Sequence, residues 1–245
     1  MFDYTAAPGL LNNRIILISG AGRGIGAAAA KACAALGATV LLLGKTEKNL
    51  NQVYDEILTA GHPEPVIIPL DLQTATTAQY EELGAMIESE FGRLDGLLNN
   101  ASILGPRMPM QQIDATKFAE VMQVNVQATF ELTRAMLPLL ALSEDASIIF
   151  TSSGVGRTGR AYWGPYAVSK FATEGLMQVL ADELEDTNIR ANSVNPGATR
   201  TSMRTAAYPG EHPESNPLPE AIMPVYLYLL GPDSKAVNGQ ALNAQ

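Results

Sequence analysis

One cysteine, one tryptophan and 6% aromatic residues in 245 positions narrow the chemistry open to this chain. Cys33 cannot close an internal disulfide by itself, and no Cys/His group has metal-ligand spacing, so no metal site is expected. It lies in an alanine-rich helical stretch and reads as a small buried hydrophobe. No apolar run reaches the ~18 residues that a membrane-spanning helix needs, and Met1-Phe2-Asp3-Tyr4 does not begin a basic-then-apolar leader. Basic residues are also few, 16 against 25 acidic, and the net charge of −9 provides no electrostatic footprint for nucleic acid or an anionic membrane. The expectation is a soluble cytoplasmic protein acting on a small molecule.

With 47% hydrophobic residues the chain can bury a sizeable core. Short runs rich in Ile, Val and Leu read as strands: Arg14–Ser19, Thr39–Leu43, Val66–Leu70, Gly96–Asn99, Ser147–Thr151 and Arg190–Val194. Longer amphipathic segments fill the gaps between them. Strands that are apolar throughout are covered on both faces, which marks a parallel sheet between two helix layers. No repeat, charge block or linker breaks the alternation. The fold expected is therefore one doubly wound, Rossmann-type α/β domain over residues 1–245, with about seven strands. Met203–Pro219 departs from the pattern, because Pro209, Pro213, Pro217, Pro219 and Gly210 rule out a single regular helix. It reads as a lid loop over a cleft or as a surface loop without function.

Two motifs carry chemistry. The first strand runs into Ser19-Gly20-Ala21-Gly22-Arg23-Gly24-Ile25-Gly26, and a helix follows. Glycines at 20, 24 and 26 allow a tight turn and close backbone approach, while the helix N-terminus offers free N–H groups to a pyrophosphate. Further on, Tyr166 and Lys170 stand four apart, one turn along a helix face, with Ser153 thirteen residues upstream. A phenol titrates near ~10, and an adjacent ammonium would bring it toward working pH, as a proton donor needs. Tyr-x-x-x-Lys alone arises by chance in roughly one such chain in five, so its context matters.

Taken together, these residues resemble the short-chain dehydrogenase/reductase family. Five landmarks carry the resemblance: the glycine turn; Asp71; Asn99-Asn100-Ala101; Asn125; and Ser153, Tyr166 and Lys170 followed by Pro196-Gly197. It implies a catalytic set of Ser153, Tyr166, Lys170 and Asn125. Ser153, chosen over Ser152, would hold the substrate oxygen, Lys170 would also bind the nicotinamide ribose, and Asn125 would hold a water that links the lysine to solvent. It implies cofactor contacts from Gly20, Arg23, Gly24, Ile25, Gly26, Asp71, Leu72, Asn99, Ala101, Pro196, Gly197, Thr199 and Thr201, with Asp71 at the adenine. Ser102 departs from the family's usual glycine and puts a Cβ into that loop.

The second strand ends in Gly44-Lys45-Thr46, with no carboxylate to receive a ribose hydroxyl. Lys45 and Arg23 place positive charge where a 2′-phosphate would lie, so NADP(H) is the cofactor expected. The resemblance implies a carbonyl or secondary-alcohol substrate, with 3-oxoacyl thioesters as one class. Leu104, Pro106, Trp163 and Met203 are candidate wall residues, and Arg107, Arg157, Arg160, Arg200 and Arg204 fall where they could attract an anionic substrate. A non-enzymatic NADP(H)-sensing interaction protein is the alternative. Family members pair through helices that here would be Ala115–Leu140 and Tyr162–Asp186, implying a homodimer or homotetramer, with Phe171, Leu176, Met177 and Leu180 recurring at helical spacing.

Overall fold

Strand β1 (Ile15–Ser19) is buried at every position. Its alternate residues enter two separate cores, Ile16 and Ile18 on one face and Ile15 and Leu17 on the other. Such a strand cannot show a polar face, and the continuous apolar run follows from its central place. The computed structural model describes residues 1–245. The remaining strands are β2 (Thr39–Gly44), β3 (Val66–Pro69), β4 (Gly96–Asn99), β5 (Ala146–Thr151), β6 (Ile189–Asn195) and β7 (Ala241–Asn243). They lie in the order β3-β2-β1-β4-β5-β6-β7, and every pair is parallel.

The helices are α1 (Gly24–Ala35), α2 (Glu47–Thr59), α3 (Thr77–Phe91), α4 (Ala115–Met122), α5 (Ala128–Leu140), α6 (Gly164–Glu183), α7 (Ser202–Ala207) and α8 (Met223–Leu230). One face of the sheet packs against α1, α2 and α8 through 26 buried residues. The other packs against α3, α5 and α6 through 24, so the two layers bury the sheet almost equally. The alanine run Ala27–Ala30 is buried throughout, letting α1 lie close to β1. None of the helices is long and apolar enough to cross a membrane.

The sheet has the expected seven strands, although β7 shows no sequence signal because it is three residues of sheet edge, none fully buried. Three expectations need correction. The helix expected over Ala115–Leu140 is interrupted by a π turn at Gln123–Gln127, where Asn125 sits. Of the α6 residues expected at an interface, Met177 is fully buried in the core and Leu180 packs against it, whereas Phe171 stays 47% exposed. Helix α6 itself starts at Gly164, after Tyr162, which holds a left-handed φ of 69°. As expected, Met203–Pro219 is not one helix: α7 is followed by 3-10 turns at Pro213–Ser215 and Pro219–Ile222.

Candidate active site

The strand order reverses between β1 and β4, and a cavity of about 340 Å³ opens at the carboxyl ends of the strands there. This is where open α/β sheets bind ligands, and the size is that of a small-molecule site. Gly20, Arg23, Gly24 and Ile25 line it as expected. Gly20 holds φ +69°, and Arg23 takes the N-cap position of α1 without capping it by its side chain. Gly26 does not line the cavity. A Cβ there would collide with the Gly20 carbonyl oxygen, so its part is to let helix and turn close on each other. Lys45 lines the cavity after β2, and Asp71 and Leu72 do so after β3. The Asp71 Oδ1 accepts from the Gln73 backbone N–H at 3.0 Å, which fixes the turn.

At the end of β4 the asparagine that faces the cavity is Asn100, not Asn99, for which a cofactor contact was expected. Asn99 has the parity of Leu97, so it faces the α5 layer. There it is buried and donates to Thr133 Oγ1 at 2.9 Å, outside the cavity lining. Its neighbour Asn100 faces the cavity, and the Asn100 Nδ2 donates to the Ser19 carbonyl at 3.1 Å. The buried Ser19 Oγ accepts from the N–H groups of Asn100 and Ala101 at 3.0 and 3.1 Å, bracing the glycine turn against this strand end. Sequence reasoning passed over Ser19 because a strand-terminal serine carries no distinguishing pattern. Ser102 lines the cavity without a positive φ, so the loop does not require glycine.

Tyr166 and Ser153 also line the cavity. The phenol is buried, which pushes its pKa up to about 12, and the Ser153 hydroxyl beside it acts in the opposite direction. The lowering expected from the lysine is therefore not seen. Lys170 Nζ lies 5.6 Å from the phenol ring centroid and donates to the Thr151 carbonyl at 2.7 Å. Burial brings Lys170 down to about 8, partly offset by Glu174 one turn further along α6. Glu174 is itself buried and accepts from Ser193 Oγ at 2.6 Å and Arg157 Nε at 3.2 Å. Ser152 is more buried than Ser153, and its Oγ has no partner. Asn125 is buried outside the cavity lining. Its Oδ1 accepts from the Ile103 N–H at 2.8 Å, while its Nδ2 donates to the Ile103 carbonyl at 2.9 Å and to Ser169 Oγ at 3.0 Å.

Pro196, Gly197, Thr199 and Thr201 line the cavity after β6. Thr201 Oγ1 also accepts from the Arg204 N–H at 3.1 Å, starting α7. Gln245 was not expected here, yet its Nε2 donates to the Pro196 and Ala198 carbonyls at 2.7 and 3.0 Å and holds this loop. Of the expected wall residues, Leu104, Trp163 and Met203 line the cavity and Pro106 does not. The five arginines do not form a common positive mouth. Arg157 binds Glu174, Arg204 makes a bidentate pair with Glu211 at 2.6 Å, and Arg200 donates to the Asn216 carbonyl. Arg160 is exposed, and Arg107 lies against two aromatic rings.

Residues 14–212 match the short chain dehydrogenase family. An uncharacterized oxidoreductase of Escherichia coli (strain K12), YciK, is 50% identical over 242 residues, covering 99% of this chain and 96% of that protein. Among solved structures, a Pseudomonas syringae chain provisionally assigned as a short chain dehydrogenase is 67% identical, with a TM-score of 0.99 and full coverage of both chains. A structure from Escherichia coli CFT073, complexed with NADPH, is 50% identical with a TM-score of 0.96, covering 98% of this chain and 100% of that one. The sheet order, the glycine turn and the match over most of the length agree: this chain belongs to the short chain dehydrogenase family.

Proposed function

We propose that the protein is an NADP(H)-dependent oxidoreductase that interconverts a carbonyl compound and a secondary alcohol, with Tyr166 as the acid/base. The observation that carries this reading is that Tyr166 and Ser153 open into the same cavity as the glycine turn, Arg23 and Lys45. The residues present fit the cofactor. Glycines supply a close-approach turn, β2 ends without a carboxylate, and Lys45 and Arg23 can meet a 2′-phosphate. The NADPH complex of the Escherichia coli relative supports the same choice. Asp71 and Leu72 would flank the adenine end, Ile25 and Ala101 the middle, and Pro196, Gly197, Thr199 and Thr201 the nicotinamide end.

When bound, the cofactor supplies or accepts the hydride. The protein holds the carbonyl oxygen with the Ser153 and Tyr166 hydroxyls and delivers the phenol proton to it as it gains negative charge. With a pKa near 12 the phenol is protonated throughout the physiological range and is ready to donate. Lys170, buried beneath Thr151, would stabilise the phenolate that remains and reach the ribose. Asn125, through its clamp on Ile103, would hold the loop after β4 and a water relay behind the lysine. The segment 203–219 would close over the substrate, and the free Cys33 suits a reducing cytoplasm. Copies would pair through α5 and α6, where Phe130, Val168, Phe171 and Val179 lie exposed.

The test is Tyr166→Phe, which removes the donor and keeps the ring. NADPH oxidation against a panel of ketones should fall by at least about two orders of magnitude, while NADPH affinity, read by its fluorescence, stays within about twofold. Retained turnover would assign the acid elsewhere.

A further inference from the structure

The side chains between the loop after β4 and the segment after β6 form a stack. The guanidinium carbon of Arg107 lies 4.4 Å from the Trp163 ring centroid and 4.7 Å from that of Tyr208. Tyr208 carries Arg204 at 3.9 Å, and Trp163 tilts against Tyr166 with centroids 5.8 Å apart. The two arginines differ in one respect that decides their roles. Arg204 has its charge met by both oxygens of Glu211. Arg107 enters no salt bridge, and its Nε is buried without a partner. Arg160 is uncompensated too, but it is exposed, where an ion pair contributes little.

The Trp163 and Tyr208 centroids are only 5.9 Å apart, so the two rings sit side by side about the Arg107 guanidinium and not on opposite faces, and its terminal N–H groups, which have no protein partner, form the edge left for recognition. That edge matches a carboxylate or phosphate, which it can bind bidentately. Unpaired in the protein and partly withdrawn from water, Arg107 has lost hydration without gaining a counter-charge, and an acid group on a ligand would restore the balance. Trp163 and Leu104 wall the cavity that holds Tyr166, and Arg107, outside that lining, stands behind the Trp163 ring, so a ligand reaches it by extending past Trp163. The two centroid distances, 5.8 and 4.4 Å, keep it within about 10 Å of the phenol ring.

We propose that Arg107 is a specificity residue that binds an acid group on the substrate, and that the substrate is an oxo acid, or the matching hydroxy acid, with several bonds between carbonyl and acid. This rests on the oxidoreductase reading of the same cavity. Trp163 is the protein's single tryptophan, so its fluorescence reports occupancy beside Arg107 with no need for turnover. The experiment titrates 4-oxopentanoate, 5-oxohexanoate and 6-oxoheptanoate, each against its methyl ester, into wild type and Arg107→Gln with NADP⁺ saturating. At least one acid should bind wild type ten- to a hundred-fold more tightly than its ester, as expected for a hydrogen-bonded charge pair. Arg107→Gln should abolish that preference and leave ester affinity within about twofold. Three results would overturn the proposal: no acid preference in wild type, a preference that survives Arg107→Gln, or equal loss of acid and ester, which would make Arg107 a structural wedge. Arg107-dependent binding without Tyr166-dependent NADPH oxidation would sink the oxidoreductase reading alone.

Discussion

Burial drives the proton affinities of Tyr166 and Lys170 in opposite directions, because it disfavours the charged form of each. The proposed reduction would need a protonated phenol, available up to about pH 12, and a charged lysine, which is lost as pH rises through about 8. The kcat/KM for carbonyl reduction should therefore be level below about pH 8 and fall above it. Glu174 raises the Lys170 pKa, so Glu174→Gln should move the onset of the fall to lower pH while retaining the low-pH plateau. A pH profile whose alkaline limb does not move would exclude this positioning role. The same depressed Lys170 means that the folded state holds fewer protons than the unfolded state between about 8 and the ordinary 10.5, so this group makes stability rise with pH across that window. Lys45 supplies a separate test at this scale. Lys45→Asp replaces a cation with a carboxylate at the end of β2 and should shift the NADPH:NADH ratio of kcat/KM toward NADH by about ten- to a hundred-fold.

The π turn Gln123–Gln127 is the element that most affects the site without lining much of it. A wide turn inside a helix displaces the residues that follow, and such turns recur at functional positions. Here it brings the Asn125 amide against both backbone groups of Ile103 and the Ser169 hydroxyl, tying the loop after β4 to α6. Asn125→Ala would leave these groups without partners at once. Each unsatisfied buried group costs about 1–3 kcal/mol, so a destabilisation of at least about 2 kcal/mol is expected. For a chain of this length that lowers Tm by about 4–8 °C, measurable by thermal denaturation followed by circular dichroism. Turnover should fall with it, because Ile103 forms part of the cavity wall. An unchanged Tm would mean that the clamp contributes nothing.

Viewed as a whole, the molecule has one region where large apolar side chains on neighbouring helices stay uncovered. Phe130 on α5 and Val168, Phe171 and Val179 on α6 are each at least 40% exposed. A second copy related by twofold symmetry would cover the same patch on both subunits. Sedimentation at micromolar concentration should give a dimer or tetramer, and Phe171→Glu should shift it toward monomer without unfolding it, since that position faces outward. A monomeric wild type would refute the proposed pairing.

Much of this was readable without coordinates, for identifiable reasons. Parallel strands buried on both faces are largely apolar, so β1, β2, β4 and β5 show within a residue or two of their limits, whereas β6 shows despite the buried Arg190, Asn192 and Ser193. The glycine turn and the Tyr166/Lys170 spacing are local, since one turn and one helix face set their geometry. Contacts between distant segments were not readable. Whether Asn99 or Asn100 faced the cavity depended on where β4 placed its two-residue alternation, and Asn99 went to the α5 side. Five arginines close to one sheet edge looked alike in sequence, until packing gave Glu174 to Arg157 and Glu211 to Arg204 and left Arg107 against two adjoining rings. The sequence alone determined the parallel-sheet class, the glycine turn and the residues proposed to react, because period and spacing act over a few residues. The proton affinities of those groups, the free cation and the hold of Gln245 on the Pro196 loop were decided only by tertiary structure, because burial and charge pairing depend on residues far apart in the chain.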